Sequence, residues 1–342
     1  MLDFMDIDQI HRCSVNKVVI KPRFNVTLEP QDLIVKNRKF YAIWDEEARI
    51  WKTDIEDAKR LIDKEIYKYI SDNESGFPVG ASIIIESAGD TSSHAFYDFL
   101  EYIRNAACGS VAELDQRIVF RSDDTNKGTL SSTRLDYDIK RESSKACTYY
   151  WDTLVGTILN KHDKDIFEQE IGKLLKVGVY ANRDKERPFI IIDGKPSSGK
   201  TTLIRLIEMI FEGYCGRMTD ESLLGNFRGS PIVMCYDDAG FYKLINSRCF
   251  MDILEHRFIR EKIGTRWRSE FVRQYYGLPI IVNNSEWSAV HYCNACSLYI
   301  IKHGRILTTT RNLLYVEDYE LAMQEIACEL PNIAYKCMKK AL

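Results

Sequence analysis

Apolar residues recur along this chain with two different spacings, and each spacing predicts its own kind of element. In "DIEDAKRLIDKEIYKYI" they fall at Ile55, Ala58, Leu61, Ile62, Ile66 and Ile70, the three-and-four step of a helix with one buried face. "SHAFYDFLEYIRNAA" predicts a second helix. "KFYAIWDEEARIWK" (Lys39 to Lys52) predicts a hairpin, two aromatic-rich arms joined by an acidic turn. The first forty residues give only short extended runs, "NKVVIK" and "FNVTL", with no sustained period. The stretch from Gly76 to Gly89 and the segment "RSDDTNKGTLSST" are bounded or filled by turn formers and predict loops.

Further along, "KACTYYWDTLVGTILN" and "DIFEQEIGKLLKVGVY" are helical in pattern, with a stop near Gly178. After the charged "ANRDKERP" the pattern changes. Short unbroken apolar runs, "PFIII", "PIVMCYDD" and "LPIIVNN", alternate with the helical stretches "TTLIRLIEMIFEG" and "SRCFMDILEHRFI". Strands of that kind interleaved with helices predict a parallel sheet covered on both faces. The expected organisation is an α-rich amino-terminal domain over residues 1–180 and an α/β domain over 181–342.

Composition narrows the class. The 342 residues are 45% hydrophobic and 28% charged, the mix of a globular protein with room for two cores. No apolar run approaches the roughly 18 residues of a membrane span, and "MLDFMDIDQIHR" carries acid where a secretory signal needs base. A cytoplasmic protein without a membrane partner is expected. The net charge of −3 excludes a generally basic nucleic-acid coat, so any contact with DNA must come from a local patch. The ten cysteines are dispersed, as for free thiols in a reducing compartment. In "HYCNACSLYIIKH" the spacing of Cys293 and Cys296 suits zinc. His291 and His303, however, flank the pair at no usual finger spacing, and "SLYII" reads as a strand, so buried thiols are expected.

The most specific chemistry follows "PFIII". Gly194-Lys195-Pro196-Ser197-Ser198-Gly199-Lys200-Thr201 fits G-x-x-x-x-G-K-[ST] at every fixed position, and Thr202 continues into the helix. Glycines let the backbone curl so that its amides converge on phosphates, and the positive end of the following helix adds to the attraction. Lys200 is expected to neutralise the β- and γ-phosphates of ATP and Thr201 to sit on Mg2+. A plain surface turn would not need a strand before it and a helix after it. "PIVMCYDD" ends in Asp237 and Asp238, a pair able to hold magnesium and orient an attacking water, although paired acids also occur in ordinary turns. "LPIIVNN" ends in Asn283 and Asn284, and an amide there could bond the γ-phosphate and the water together. Asn284 is preferred over Asn283, the alternative being a simple turn.

Between the acids and the asparagines lies the clearest basic concentration, with six basic and two acidic side chains from Arg257 to Arg273. Lys262, Arg266 and Arg268 are the candidates for gripping a phosphate backbone, and Trp267 for stacking on a base. A solvated charged face around a buried tryptophan is the plainer alternative.

Taken together, these elements resemble the superfamily 3 helicases of viruses and plasmids, whose core is an AAA+-like P-loop ATPase, and in particular the helicase half of phage and poxvirus primase–helicases. "RLDYDIKRESSKACTYYWDTLVGTIL" with "FEQEIGKLL" is similar to the helical module before the ATPase, "LLGNFRGSPIVMCYDDAG" to the magnesium strand, and "ELPNIAYKCMKKAL" to the closing helix. The likeness covers residues 130–342 well and 35–70 weakly. It implies a homo-hexameric ring acting on single-stranded or forked DNA in the host cytoplasm or at a viral replication site, with a separate primase or polymerase as a further partner. It also implies a channel hairpin in the basic interval and an arginine that reaches a neighbour's γ-phosphate. Arg305 is the first candidate for that arginine and Arg311 the second. Two features depart from the family: Asp238 stands where it usually has glutamate, and "HGRILTTTR" lacks its two adjacent arginines. Asp6 and Asp8 in "MDID" and His94 in "SSH" echo primase motifs too briefly to count. Tyr137 lacks the metal motif of a nickase and reads as structural. Two other classes fit the loop: an AAA+-type loader or remodeller, and a slow nucleotide switch.

Overall fold

The computed structural model describes residues 1–24, 30–36, 40–90, 92–105, 114, 117–139, 147–176, 189–218, 231–237, 248–255, 259–262, 270–273, 277–283, 304–310 and 318–341. The chain forms two compact units, residues 1–112 with 125–130, and residues 113–124 with 131–342. The division therefore falls well before residue 180.

The first unit is mixed rather than α-rich. Strands β1 (Met5–Arg12) and β2 (Lys17–Phe24) pair antiparallel, and β6 (Ser82–Ile85) joins β2 in parallel. A second antiparallel sheet holds β3 (Leu33–Lys36), β4 (Phe40–Asp45) and β5 (Ile50–Lys52). The last two are the predicted hairpin, with Trp44 opposite Trp51. Helix α1 (Ile55–Asp72) starts where Asp54 accepts the Glu56 amide at 2.8 Å. It buries Ala58, Leu61, Ile62 and Ile66, and α2 (Ala95–Asn105) adds Phe96 and Phe99. Phe99 is fully buried, with Phe24 and Tyr41 each at 5.4 Å between ring centres. The strand β6 lies inside the predicted Gly76–Gly89 loop. Its partner β2 is some sixty residues away, and only that pairing makes "SIII" a strand.

The second unit is an α/β assembly that includes a short parallel pair, β7 (Val119–Phe120) and β8 (Arg134–Leu135). Its sheet has five parallel strands in the order β10 (Cys215–Met218), β11 (Val233–Asp237), β14 (Leu278–Asn283), β9 (Phe189–Asp193), β15 (Gly304–Thr308). Phe189 to Ile192 are all at most 1% exposed, an unbroken apolar run as a strand covered on both faces requires. On one face Ile190 and Ile192 join the core of α5 (Lys200–Ile210), α3 (Tyr149–Ile158) and α4 (Lys161–Lys176). From the other, Phe189 meets Phe250 of α6 (Arg248–Leu254) edge to face. Among the described residues no helix is long and apolar enough to cross a membrane.

Helices α3 and α4 belong to this unit because α7 (Tyr319–Lys340) locks onto both. Gly172 of α4 lies against the α7 backbone, where an added Cβ would come within 1.9 Å of the Cys337 carbonyl oxygen. Glu329 of α7 accepts the Tyr150 and Trp151 amides at 3.1 and 3.0 Å, supplying from a distant element the cap that Thr148 does not give α3. The buried Glu168 takes the Trp151 indole N–H at 2.8 Å and pairs with Lys336 and Lys340 at 3.2 and 2.6 Å. The helical module and the closing helix of the sequence reading thus form one cluster.

Candidate functional site

Register aligns the carboxyl ends of four adjacent strands. Asp193 of β9 stands opposite both Asn283 of β14 and Thr308 of β15, while Asp237 of β11 stands opposite Val282. With strands about 4.8 Å apart, Asp237 is roughly 10 Å from the end of β9. Ligands of open α/β sheets bind outside this edge. Asp237 and the segment Gly194–Thr202 therefore share one edge, along with Asn283, the second choice of the two asparagines. Asp238 and Asn284 lie outside the described residues.

The loop itself is tightly wound. Gly194 (φ +153°), Ser197 (φ +60°) and Gly199 (φ +97°) all have positive φ within six positions. Gly194 is required twice over. Its φ is one L side chains rarely adopt, and a Cβ there would stand 1.8 Å from the Thr309 hydroxyl oxygen. Lys195, Pro196 and Ser197 are exposed at the tip, whereas Ser198 is fully buried. Gly199 is the N-cap of α5 and offers its first-turn amides no side chain, which leaves that end suited to an anion. Lys200 is 4% exposed, and its ammonium donates to the carbonyls of Gly194 and Lys195 at 2.6 and 2.5 Å. A buried ammonium donating to loop carbonyls at a helix N-terminus is placed where an anion would be a stronger partner. Thr201 faces solvent on the first turn and Thr202 is buried beside it.

One residue at this edge was not singled out from the sequence. Thr309, directly after β15, is 8% exposed, and its hydroxyl lies 2.7 Å from that of Ser198 and 3.3 Å from the Asp193 carbonyl oxygen. Its own amide donates to the same carbonyl at 2.9 Å. Nothing local in "LTTTR" marks the middle threonine. Only the strand order that seats β15 beside β9 does so.

Other candidates fall elsewhere. Arg305 is half-buried and opposite Ile190, about 10 Å back along β15 from Thr308. Lys262 ends β12 (Ile259–Lys262), which pairs antiparallel with β13 (Glu270–Arg273), Lys262 opposite Glu270. The basic interval therefore contains an antiparallel two-stranded ladder, and Gly264 lies outside the described residues. Arg266, Trp267 and Arg268 lie outside the described residues, as do Arg311 and the cluster His291, Cys293, Cys296 and His303. Asp6 and Asp8 both face Arg23, at 3.2 and 3.6 Å. The Tyr137 hydroxyl donates to the Ile210 carbonyl at 3.0 Å, and burial pushes its pKa up, which fits a structural role.

No protein-family model matches the chain, and no curated protein matches it. Among solved structures, the apo structure of the NrS-1 C terminal region (305–718) aligns over 90% of this chain and 68% of that one, at 13% identity and a TM-score of 0.46. An A form apo structure of the same region aligns over 90% and 67%, at 11% identity and a TM-score of 0.45.

Proposed function

We propose that the second unit is an ATP- and magnesium-dependent motor of AAA+-like, P-loop type that translocates on and unwinds DNA as a ring of this chain, a hexamer by resemblance to superfamily 3. One observation carries the reading. The Gly194–Thr201 loop leaves the carboxyl end of a central parallel strand, enters α5, and holds a buried lysine on its own carbonyls.

In this reading the loop amides and the amino end of α5 bind the phosphates. Lys200 turns from Gly194 and Lys195 to the β- and γ-oxygens, where its charge is worth most as the phosphoryl group transfers. Thr201 and Asp237 would hold magnesium, whose chemistry is to neutralise charge on the transferring oxygens. Asp238 accepts a proton from the attacking water and Asn284 orients it. Arg305 acts on the neighbouring subunit's nucleotide. Lys262, Arg266 and Arg268 grip the strand and Trp267 stacks on a base. A separate primase or polymerase would work beside such a ring.

The test is ATP hydrolysis with and without single-stranded DNA, beside unwinding of a forked duplex. Stimulation and unwinding are expected. With Lys262, Arg266 and Arg268 replaced by alanine, basal hydrolysis should persist while both DNA-dependent signals fall. The salt slope of log affinity should flatten by about 0.7 per lost contact. Hydrolysis that ignores DNA, without unwinding, would favour a remodelling ATPase or a switch. Absence of any hydrolysis, with Lys200→Ala indistinguishable from wild type, would remove the loop from the mechanism.

A further inference from the structure

A loop with three positive-φ residues in six needs something outside itself to hold its shape. The covalent ends supply two anchors, β9 and α5. The structure shows a third, from a strand that contributes nothing to the loop's sequence. The Ser198 hydroxyl is buried and lies 2.7 Å from Thr309 Oγ1, which in turn lies 3.3 Å from the Asp193 carbonyl oxygen. A carbonyl only accepts, and Thr309 has one hydroxyl proton. Both contacts are satisfied together when Thr309 donates to Asp193 and Ser198 donates to Thr309. The residue at the root of the loop and the residue before Gly199 are thereby tied to one oxygen atom.

Thr309 is itself fixed on both sides. The Thr308 amide donates to Asp163 of α4 at 3.0 Å, and Asp163 also takes the Asn160 side-chain amide at 2.9 Å. The Thr310 amide donates to the Ile158 carbonyl at 2.9 Å, and Thr309 forms a bridge with Leu159. The corner between α3 and α4 therefore holds the end of β15 in place, and Gly194 packs where only a hydrogen leaves room for Thr309.

We propose that Thr309 is a positioning residue for the phosphates of a bound nucleotide. Its hydroxyl holds Ser198, and through it the Ser197–Lys200 backbone, in the anion-accepting shape. The inference rests on the nucleotide reading above. Thr309 does not touch the phosphates. It fixes the amides that do, so its loss falls on nucleotide affinity and turnover rather than on the fold.

The experiment compares wild type, Thr309→Val, Thr309→Ser and Lys200→Ala in the full chain. It reads affinity for ADP, kcat and KM for ATP, and the melting temperature without nucleotide. Thr309→Val, which keeps the shape and removes the hydroxyl, should weaken ADP at least tenfold and lower kcat/KM by at least as much. Its melting temperature should stay within a few degrees of wild type. Thr309→Ser, which keeps the hydroxyl, should return both values to within about threefold. If Thr309→Val binds and turns over like wild type, the inference fails and the nucleotide reading stands. Equal impairment of the valine and serine variants also overturns it, because the methyl packing then matters instead. If wild type binds no ADP, the nucleotide reading falls and takes this inference with it.

Discussion

Replacing Gly194 with alanine tests whether the loop's shape, and not merely its charge, is what a nucleotide needs. The new methyl would sit 1.8 Å from Thr309 Oγ1 and 3.1 Å from both Ser198 Oγ and Thr309 Cβ, at a backbone φ of +153°. The backbone conformation alone costs about 1–3 kcal/mol for a side-chain-bearing residue. Crowding against a short, fixed threonine adds about 1–3 kcal/mol. The strain has an outlet, since Lys195, Pro196 and Ser197 are exposed and can shift without disturbing the core. Most of the penalty should therefore appear only when phosphates force the loop back into shape. A cost of about 2–3 kcal/mol at that step weakens binding roughly 30- to 150-fold. The assay is titration of ADP against the variant, with thermal melting of the apo protein alongside. The melting temperature should drop by no more than a few degrees. ADP affinity within threefold of wild type would refute the argument, since the loop would then bind phosphates in a shape that tolerates the methyl.

Gly172→Ala should do the reverse: its methyl meets the backbone of α7, 1.9 Å from the Cys337 oxygen, with no exposed segment to absorb it. A loss of about 1–3 kcal/mol, read as a lower melting temperature, is expected while ADP affinity holds. Acid should expose the Asp152 network. Burial works against the Asp152 charge, but hydrogen bonds from Lys164, Lys336 and Thr148 outweigh it and hold its carboxyl at about 2, against an ordinary 3.8. Because the folded value is the lower one, this contribution is complete above about pH 4 and is lost as pH falls towards 2. Asp152→Asn should flatten that part of the stability–pH curve measured by denaturant titration. Arg305→Ala should bind ATP nearly as wild type yet fail to hydrolyse it, and mixing it with Lys200→Ala subunits should restore part of the activity. If mixing restores nothing and Arg311→Ala shows the phenotype instead, the finger is Arg311.

What could be read from the sequence follows from how local each feature is. The loop was legible because its residue types sit at fixed spacing between an apolar run and a helical one, and α1 because its apolar stripe repeats over eighteen residues. The strand β10, "CGRM", carries no apolar run and becomes a strand only beside β11. The division near residue 112 was hidden for a related reason. Helices α3 and α4 precede the charged "ANRDKERP", which looks like a linker, and tertiary contacts such as those of Gly172, Glu168 and Glu329 reveal their attachment to α7. Thr309 was missed because its partners are more than a hundred residues away. Strand order, which a linear pattern does not carry, decides the placing of both Thr309 and Arg305.

The carboxylate of Glu329 has a consequence for how this protein is made. A nascent chain leaves the ribosome with α3 complete long before α7 exists, and until then the first amides of α3 lack the acceptor they have in the finished protein. Glu168 meanwhile waits for Lys336 and Lys340, so a charge destined for the interior stays without the cations that will neutralise it. The α3–α4 pair therefore goes without these partners through synthesis of the whole sheet, and its closure onto them waits for α7. Contacts spanning some 180 residues make that closure slow, and a ribosome stalled before α7 would present the apolar faces of α3 and α4 to chaperones and proteases.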